Sequence, residues 1–279
     1  MDKIIDSHHH LWDITKLEYP WMPPGESVLK KNYLPVDLYP VMKEVGVVRT
    51  IVVQAAHDIR ETEFLLNQAQ TTQWIAGVVG WVDLNDSRVG ESLDKLLSLG
   101  PLVGIRHQAE DDPDDDWLVK RETIRGLREV ESRGLKYDVL IKARHLRHVP
   151  FLAEELPSLP MVIDHIAKPF ISEQTMEPWA NDISAAAAYK NIYCKVSGMV
   201  TEADHKNWKV SDLVPFVTHI KSIFSADKLM WGSDWPVCLL ASSYEEVLES
   251  TLQAMGSLTE AEKEKFLYST ALKFYGIED

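Results

Sequence analysis

The sequence predicts one (β/α)8 TIM barrel, an α/β fold in a single domain over residues 1–279. Three observations predict it. Short Val/Ile-rich segments recur eight times, at a spacing that leaves room for a helix between successive parallel strands. Several are continuous apolar runs rather than alternating ones, the pattern of strands buried on both faces. The length of 279 residues, 45% of them hydrophobic, suits the fold, which typically takes about 250.

The elements follow in order. "KIIDSHHH" is the first strand. After it, residues 11–35 ("LWDITKLEYPWMPPGESVLKKNYLP") form the one long irregular stretch, rich in Pro and aromatics. It lies where a lid over the catalytic face of a barrel would sit. "RTIVVQAA" and "IAGVVGWVDL" are the second and third strands, each followed by an amphipathic helix, "RETEFLLNQAQTTQ" and "SRVGESLDKLLSLG". "LVGIRHQ" leads into the helix "KRETIRGLREVESRG". "KYDVLIK", "MVIDHIAKP" and "IYCKVSGM" are the next three strands, and "VSDLVPFVTHIKSIFS" is the helix after the last of them. "KLMWGSDWP" completes the set, and "SYEEVLESTLQAMG" and "TEAEKEKFLYSTALKFYG" close the chain. Thr259 with Glu262 reads as a capping box, and Gly134, Gly256 and Gly276 stand where helices should stop. No Gly/Ser linker or short repeat divides the chain.

Composition narrows the function. Lys and Arg number 29 against 43 Asp and Glu, a formal charge of −14. With no basic stripe, the chain is a poor partner for a phosphate backbone, so no nucleic acid is expected. No 18-residue apolar run and no leader pattern are found, so neither a membrane nor export is expected and the cytoplasm is the default. The two cysteines, Cys194 and Cys238, are too few and scattered for a disulfide framework and read as packing residues. A small-molecule substrate is the expected partner. A homodimer is compatible with the sequence, but no motif encodes it.

In a strand, alternate side chains share a face. His8 and His10 therefore point one way, with Asp6, and His9 the other. In such barrels active sites sit at the C-terminal strand ends. Here those ends carry His8 and His10; Gln54 and His57; Trp81 and Asp83; Arg106 and His107; Asp164, His165 and Lys168; Lys195 and Ser197; and Ser233, Asp234 and Trp235. Each also has a bland reading. His57 and His107 can be structural hydrogen-bonders, and Arg106 can pair with a barrel carboxylate instead of a ligand. Asp83 and Asp164 can satisfy strand-end amides. The acidic run "EDDPDDD" (110–116) reads as a solvated loop, with calcium binding the minority reading, and His145 and His148 read as a solvated face. Simultaneous bland readings for the H-x-H pair, His165 and Asp234 would require a coincidence.

Taken together, "DSHHHLW", "GIRH", "IDHIAKP", "YCKVSG" and "GSDWPV" resemble the amidohydrolase superfamily. They are most similar to its lactonase branch, which contains L-fuconolactone, L-rhamnonolactone, pyrone-dicarboxylate and sulfomuconolactone hydrolases. The resemblance runs from residue 4 to about residue 275. It implies that His8, His10, His165 and Asp234 surround the reacting centre. Binuclear superfamily members bridge two metals with a carboxylated lysine or a glutamate at the end of the fourth strand. Arg106–His107 stands there instead, so the resemblance implies one divalent ion or none.

Three imidazoles and a carboxylate make an N3O set that suits Zn²⁺ or a similar ion. Such an ion lowers the pKa of a water from about 16 to about 7. Either the ion or a protonated His165 would polarise the lactone carbonyl. Asp234 would take the proton from water and return it to the departing ring oxygen. A metal-free version keeps Asp234 as base and uses the three histidines as hydrogen-bond donors. Arg106, His107, Trp81, Lys168 and Trp235 are the expected substrate contacts. The reading that results is a hydrolase of an aldonolactone such as L-fuconolactone or L-rhamnonolactone. Two alternatives are a metal-dependent decarboxylase of the carboxymuconate-semialdehyde type, which would bind a carboxylate firmly, and a non-catalytic sugar-binding barrel.

Overall fold

In the computed structural model, which describes residues 3–279, the eight predicted strands pair in parallel and in sequence order. They are β1 (Ile4–His9), β2 (Val47–Val53), β3 (Ile75–Gly80), β4 (Leu102–Gln108), β5 (Lys136–Leu140), β6 (Met161–Ile163), β7 (Ile192–Val196) and β8 (Leu229–Trp231). β6 and β8 are three residues each, much shorter than the segments that predict them. Their chains leave the sheet because His165 to Lys168 and Asp234 adopt positive φ, which ends a ladder.

All six predicted helices form: α2 (Ile59–Thr71), α3 (Val89–Leu99), α4 (Arg121–Ser132), α7 (Val210–Ile223), α8 (Tyr244–Met255) and a C-terminal rod of α9 (Glu260–Glu264), a π turn and α10 (Thr270–Tyr275). The structure adds α1 (Pro35–Glu44), α5 (Val149–Glu155) and α6 (Trp179–Ala187). α1 carries Pro35 and Pro40, α5 is seven residues with Pro150 in its first turn, and α6 follows Pro178, so none has a clean periodic signature. The capping box forms as read, Glu262 N–H donating to Thr259 Oγ1 at 3.3 Å and Thr259 N–H to Glu262 Oε2 at 2.8 Å.

The larger core lies between the strands and the helical ring. A second cluster fills the lower barrel, where Ile5, Ile51, Val53, Val79, Val162 and Met230 meet Tyr268, Leu272, Phe274 and Tyr275 of the C-terminal rod. The rod thus plugs the end of the barrel away from the His8–His10 end. Residues 11–34 pack over that other end through Trp12, Tyr19, Trp21 and Tyr33, whose rings meet at 5.5–5.8 Å. Among the described residues no helix is long and apolar enough to cross a membrane.

β1 and β8 are joined largely by side chains. Asp6, fully buried, accepts from His8 N (3.1 Å) and Ser233 N (2.9 Å) on one oxygen. On the other it accepts from Ser233 Oγ (2.6 Å) and Tyr244 OH (3.0 Å). Asp6 therefore anchors the seam rather than joining the histidines it precedes. Beyond it, Asp234 N–H donates to His8 O (2.8 Å) and His10 N–H to Trp235 O (2.6 Å), which carries the seam to the barrel mouth.

Either orientation of an amide at position 6 would aim an NH2 group at fixed donors. Asp6→Asn is expected to lower unfolding stability by about 3 kcal/mol, as for a buried group turned against its partners. Urea unfolding checks this, and an unchanged midpoint would show that the seam does not depend on the carboxylate.

Candidate active site

His8 and His10 point into the barrel mouth as alternation requires. His9 points outward to Thr50 Oγ1 (2.8 Å), and burial lowers its pKa to about 3. The β6 end delivers His165 through a left-handed turn, with φ of 52°, 47°, 61° and 48° at His165, Ile166, Ala167 and Lys168. Asp234, at φ 58°, comes from the end of β8.

Asp234 Oδ1 is ringed by three imidazole Nε2 atoms, at 3.3 Å from His10, 3.7 Å from His165 and 3.8 Å from His8. His10 Nδ1 lies 2.8 Å from Val53 O. A carbonyl only accepts, so Nδ1 carries the proton and Nε2 presents a lone pair to the carboxylate. Two acceptors facing each other at 3.3 Å call for a cation between them. A backbone carbonyl fixing the far nitrogen of a histidine is also the usual support of a metal ligand. His165 Nδ1 lies 2.9 Å from Ser197 Oγ, a hydroxyl that can donate or accept and so orients the ring without fixing its tautomer. Two groups of buried donors each lie close enough to share one cation, His8, His10 and Asp234 and, beside them, His8, Asp164 and His165, so the donor set fits a divalent ion.

Beneath lies a buried ionic lattice. Lys195 Nζ sits 2.5 Å from Asp138 Oδ2, 3.1 Å from Asp164 Oδ1 and 3.1 Å from His8 Nδ1. Arg106 Nη1 is 3.1 Å from Asp164 Oδ2 and 3.2 Å from His8 Nε2, and Nη2 donates to Gln54 O. His8 thus stands between two cations, and burial, with Lys195 adding to it, outweighs Asp164 in holding its pKa well below the usual imidazole range. Burial lowers His165 to about 4. A protonated His165 at neutral pH, one of the two carbonyl activators read from the sequence, does not fit this environment. Burial opposes the charge of Asp234, yet the carboxyl is held below its ordinary value, with the Lys168 ammonium among the groups that favour the anion.

A cleft of about 230 Å³ opens above, lined by His10, His165, Asp234, Arg106 and Lys168 and by Trp21, Ala55, Gln108, Glu110, Asp111, Leu140, Lys142 and Val237. Three expected substrate contacts do not line it. His107 is stacked between Trp117 (3.7 Å) and His57 (4.1 Å), with Trp81 Nε1 donating to its Nδ1 at 3.1 Å. Trp81 is thereby held to His107. Trp235 is buried edge-on against Tyr33 at 5.0 Å.

The acidic run is neither a solvated loop throughout nor a calcium cup. Glu110 is buried against Lys168 (2.5 Å), and Asp111, Asp114, Asp115 and Asp116 pair with Lys142, Lys120, Arg144 and Arg147 at 2.8–3.1 Å. His145 is buried too, with Nε2 at 3.1 Å from Asp115 Oδ1, so it packs under this loop instead of forming a solvated face. Sequence reasoning missed Glu110, Trp21 and Asp138. Only Asp138 carried a signal, a carboxylate in the middle of an apolar strand.

The amidohydrolase family profile matches residues 5–277 of the chain. An L-fucono-1,5-lactonase of Burkholderia multivorans is 35% identical over 290 residues, covering 99% of this chain and 96% of that enzyme. The L-fucono-1,5-lactonase of Burkholderia ambifaria is 35% identical over 241 residues, 86% of this chain and 82% of that one. The crystal structure of an amidohydrolase from Burkholderia multivorans with bound Zn aligns at a TM-score of 0.93 and 34% identity, covering 99% of each chain. With the profile spanning nearly every residue and the barrel matched end to end, the chain belongs to the amidohydrolase family.

Proposed function

We infer that this chain is an enzyme that opens the ring of a sugar-acid lactone, and we propose an aldonolactone such as L-fuconolactone or L-rhamnonolactone as substrate. The observation that carries the reading is Asp234 Oδ1 ringed by three neutral imidazoles at the floor of an open cleft. The lactonases among the relatives support the substrate class.

A divalent ion held by His8, His10 and Asp234, with His165 beside them, would supply Lewis acidity toward a carbonyl or a water at neutral pH. Zinc suits the donors and is bound by a similar amidohydrolase. Arg106 argues for a single ion, because its guanidinium already pairs at 3.1 Å with Asp164 of the second donor group. A second cation about 4 Å from it would be repelled by roughly 4 kcal/mol per unit charge at an effective dielectric of 20.

The chain's own residues then divide the work. Ionised Asp234 accepts the proton of the attacking water as the new C–O bond forms. The ring C–O bond breaks, and Asp234 returns that proton to the departing oxygen. His10 holds its Nε2 lone pair toward the centre because Val53 O fixes its far nitrogen, and Ser197 Oγ orients the His165 ring. Trp21, anchored by Nε1 to Ala55 O at 2.6 Å, closes one wall with residues 11–35, which we read as the lid. The basic side chains of the cleft, Arg106, Lys142 and Lys168, are each paired with a carboxylate, which leaves none of them free for a substrate carboxylate.

His165 has little freedom. A Cβ at Gly198, whose φ is +59°, would lie 2.5 Å from His165 Nδ1. Gly198→Ala is therefore expected to displace the ring and lower kcat/KM by about 100-fold, the scale of a misplacement near 1 Å; unchanged kinetics in a folded variant would show that ring position is not critical. Asp234→Asn should lower lactone hydrolysis by about 10²–10⁴-fold, the range for a lost general base, and full activity in this variant would overturn the mechanism. Chelation followed by metal analysis should remove activity together with about one equivalent of metal, and zinc should restore it. An active metal-free protein would select the version in which Asp234 and the histidines act alone.

A further inference from the structure

One side of the cleft carries charged groups that ester hydrolysis does not use. Lys168 Nζ lies 2.5 Å from Glu110 Oε2 and 3.9 Å from Glu202 Oε1. Glu110 comes from the loop after β4, Lys168 from the turn after β6 and Glu202 from the loop after β7, so three loops converge on one ammonium. Glu110 and Lys168 face the same cleft as Asp234. Burial works against the Lys168 charge, and Glu110 and Glu202 more than offset it. The Lys168 backbone is also left-handed, at φ 48°, a conformation an L-residue keeps only where surrounding structure holds it.

The resulting order is carboxylate, ammonium, carboxylate. Each ring hydroxyl donates one proton and accepts through its oxygen, so adjacent hydroxyls match acceptors and donors set side by side. A ring bearing a carboxylate meets Glu110 and Asp111 here, with every cleft cation already paired.

We propose that Glu110 and Lys168, with Glu202 backing Lys168, form the specificity wall, reading the ring hydroxyls of a neutral polyhydroxylated lactone and rejecting lactones that carry a carboxylate. This rests on the lactonase reading of the same site. A site built to bond a hydroxyl discriminates against the analogue lacking it by up to about 10⁴–10⁵, so the wall should govern the ratio between substrates more than the chemical step.

The test compares wild type with Glu110→Gln and Glu202→Gln on L-fucono-1,5-lactone and on δ-valerolactone, which has the same ring size without hydroxyls. Binding of the neutral L-fucono-1,5-lactam is measured in parallel by calorimetry. Glu110→Gln is expected to lower the ratio of kcat/KM for the hydroxylated over the bare ring at least tenfold, mainly through KM, and to weaken lactam binding by a similar factor. Glu202→Gln should move both in the same direction by less. Equal losses on the two rings, with unchanged lactam affinity, would overturn the wall. If wild type opens neither ring, the lactonase reading fails. Lactam binding then decides alone, with a tenfold loss in Glu110→Gln sustaining the wall and no loss overturning it. Thermal melting verifies folding. If Glu110→Gln does not fold, Glu202→Gln replaces it in both measurements, and a lowered ratio with weaker lactam binding sustains the wall while no change in either overturns it.

Discussion

Arg106, Lys195, Asp138 and Asp164, nearly or fully buried inside the barrel, form the constraint on which the rest depends. Taking each ion out of water costs several kcal/mol, which only close pairing offsets. Two cations and two carboxylates balance in charge, and Tyr275 OH from the C-terminal rod adds a bond to Asp138 Oδ2 at 2.8 Å. The lattice binds β4, β5, β7 and the β6 end at the level where the strands open into the site. Removing one member would leave its partner charged and unpaired, so the four stand or fall as a unit. His8 is held by this unit at both nitrogens, which makes its neutrality a property of the barrel interior more than of the ring itself.

Above the lattice, neutrality of the imidazoles has a chemical consequence. A histidine that stays unprotonated offers a lone pair, and a lone pair aimed at a carboxylate oxygen is an incomplete arrangement. The His10–Asp234 approach at 3.3 Å is of this kind. Burial removes the proton that would otherwise bridge the two, so the same desolvation that lowers His165 and His10 prepares the set for a metal cation. Electrostatics and geometry thus call for positive charge at the same point.

Much of this was legible in the sequence, for identifiable reasons. Val/Ile runs mark doubly buried strands, and period-two alternation separates His8 and His10 from His9. Strand ends then gather His165 and Asp234 without any knowledge of loops. What stayed hidden depends on partners far along the chain. The acidic run looks solvated until Lys168 arrives beside Glu110 from 58 residues away. Trp235 is expected to touch substrate, but Tyr33 of the 11–35 segment packs against it. His107 sits where a ligand contact belongs, yet Trp117 and Trp81 enclose it, each from a different loop. Helices α1, α5 and α6 were masked by prolines whose placement at or near helix starts no periodicity reveals.

The turn His165–Lys168 was the least legible element, because it contains no glycine. Four consecutive left-handed residues, one of them the β-branched Ile166, cost roughly 1–2 kcal/mol each. Opposing this, Lys168 N–H donates to His165 O at 2.8 Å and Trp179 Nε1 to Ile166 O at 2.7 Å. Ser197 and Glu110 hold the two end side chains. A relaxed strand would have turned His165 and Ile166 to opposite faces and carried Lys168 up out of the cleft. The strained turn instead folds back so that His165 reaches Asp234 while Lys168, three residues on, reaches the opposite wall. One short segment therefore fixes the distance between the reacting centre and the charged wall, and a change in the turn moves both.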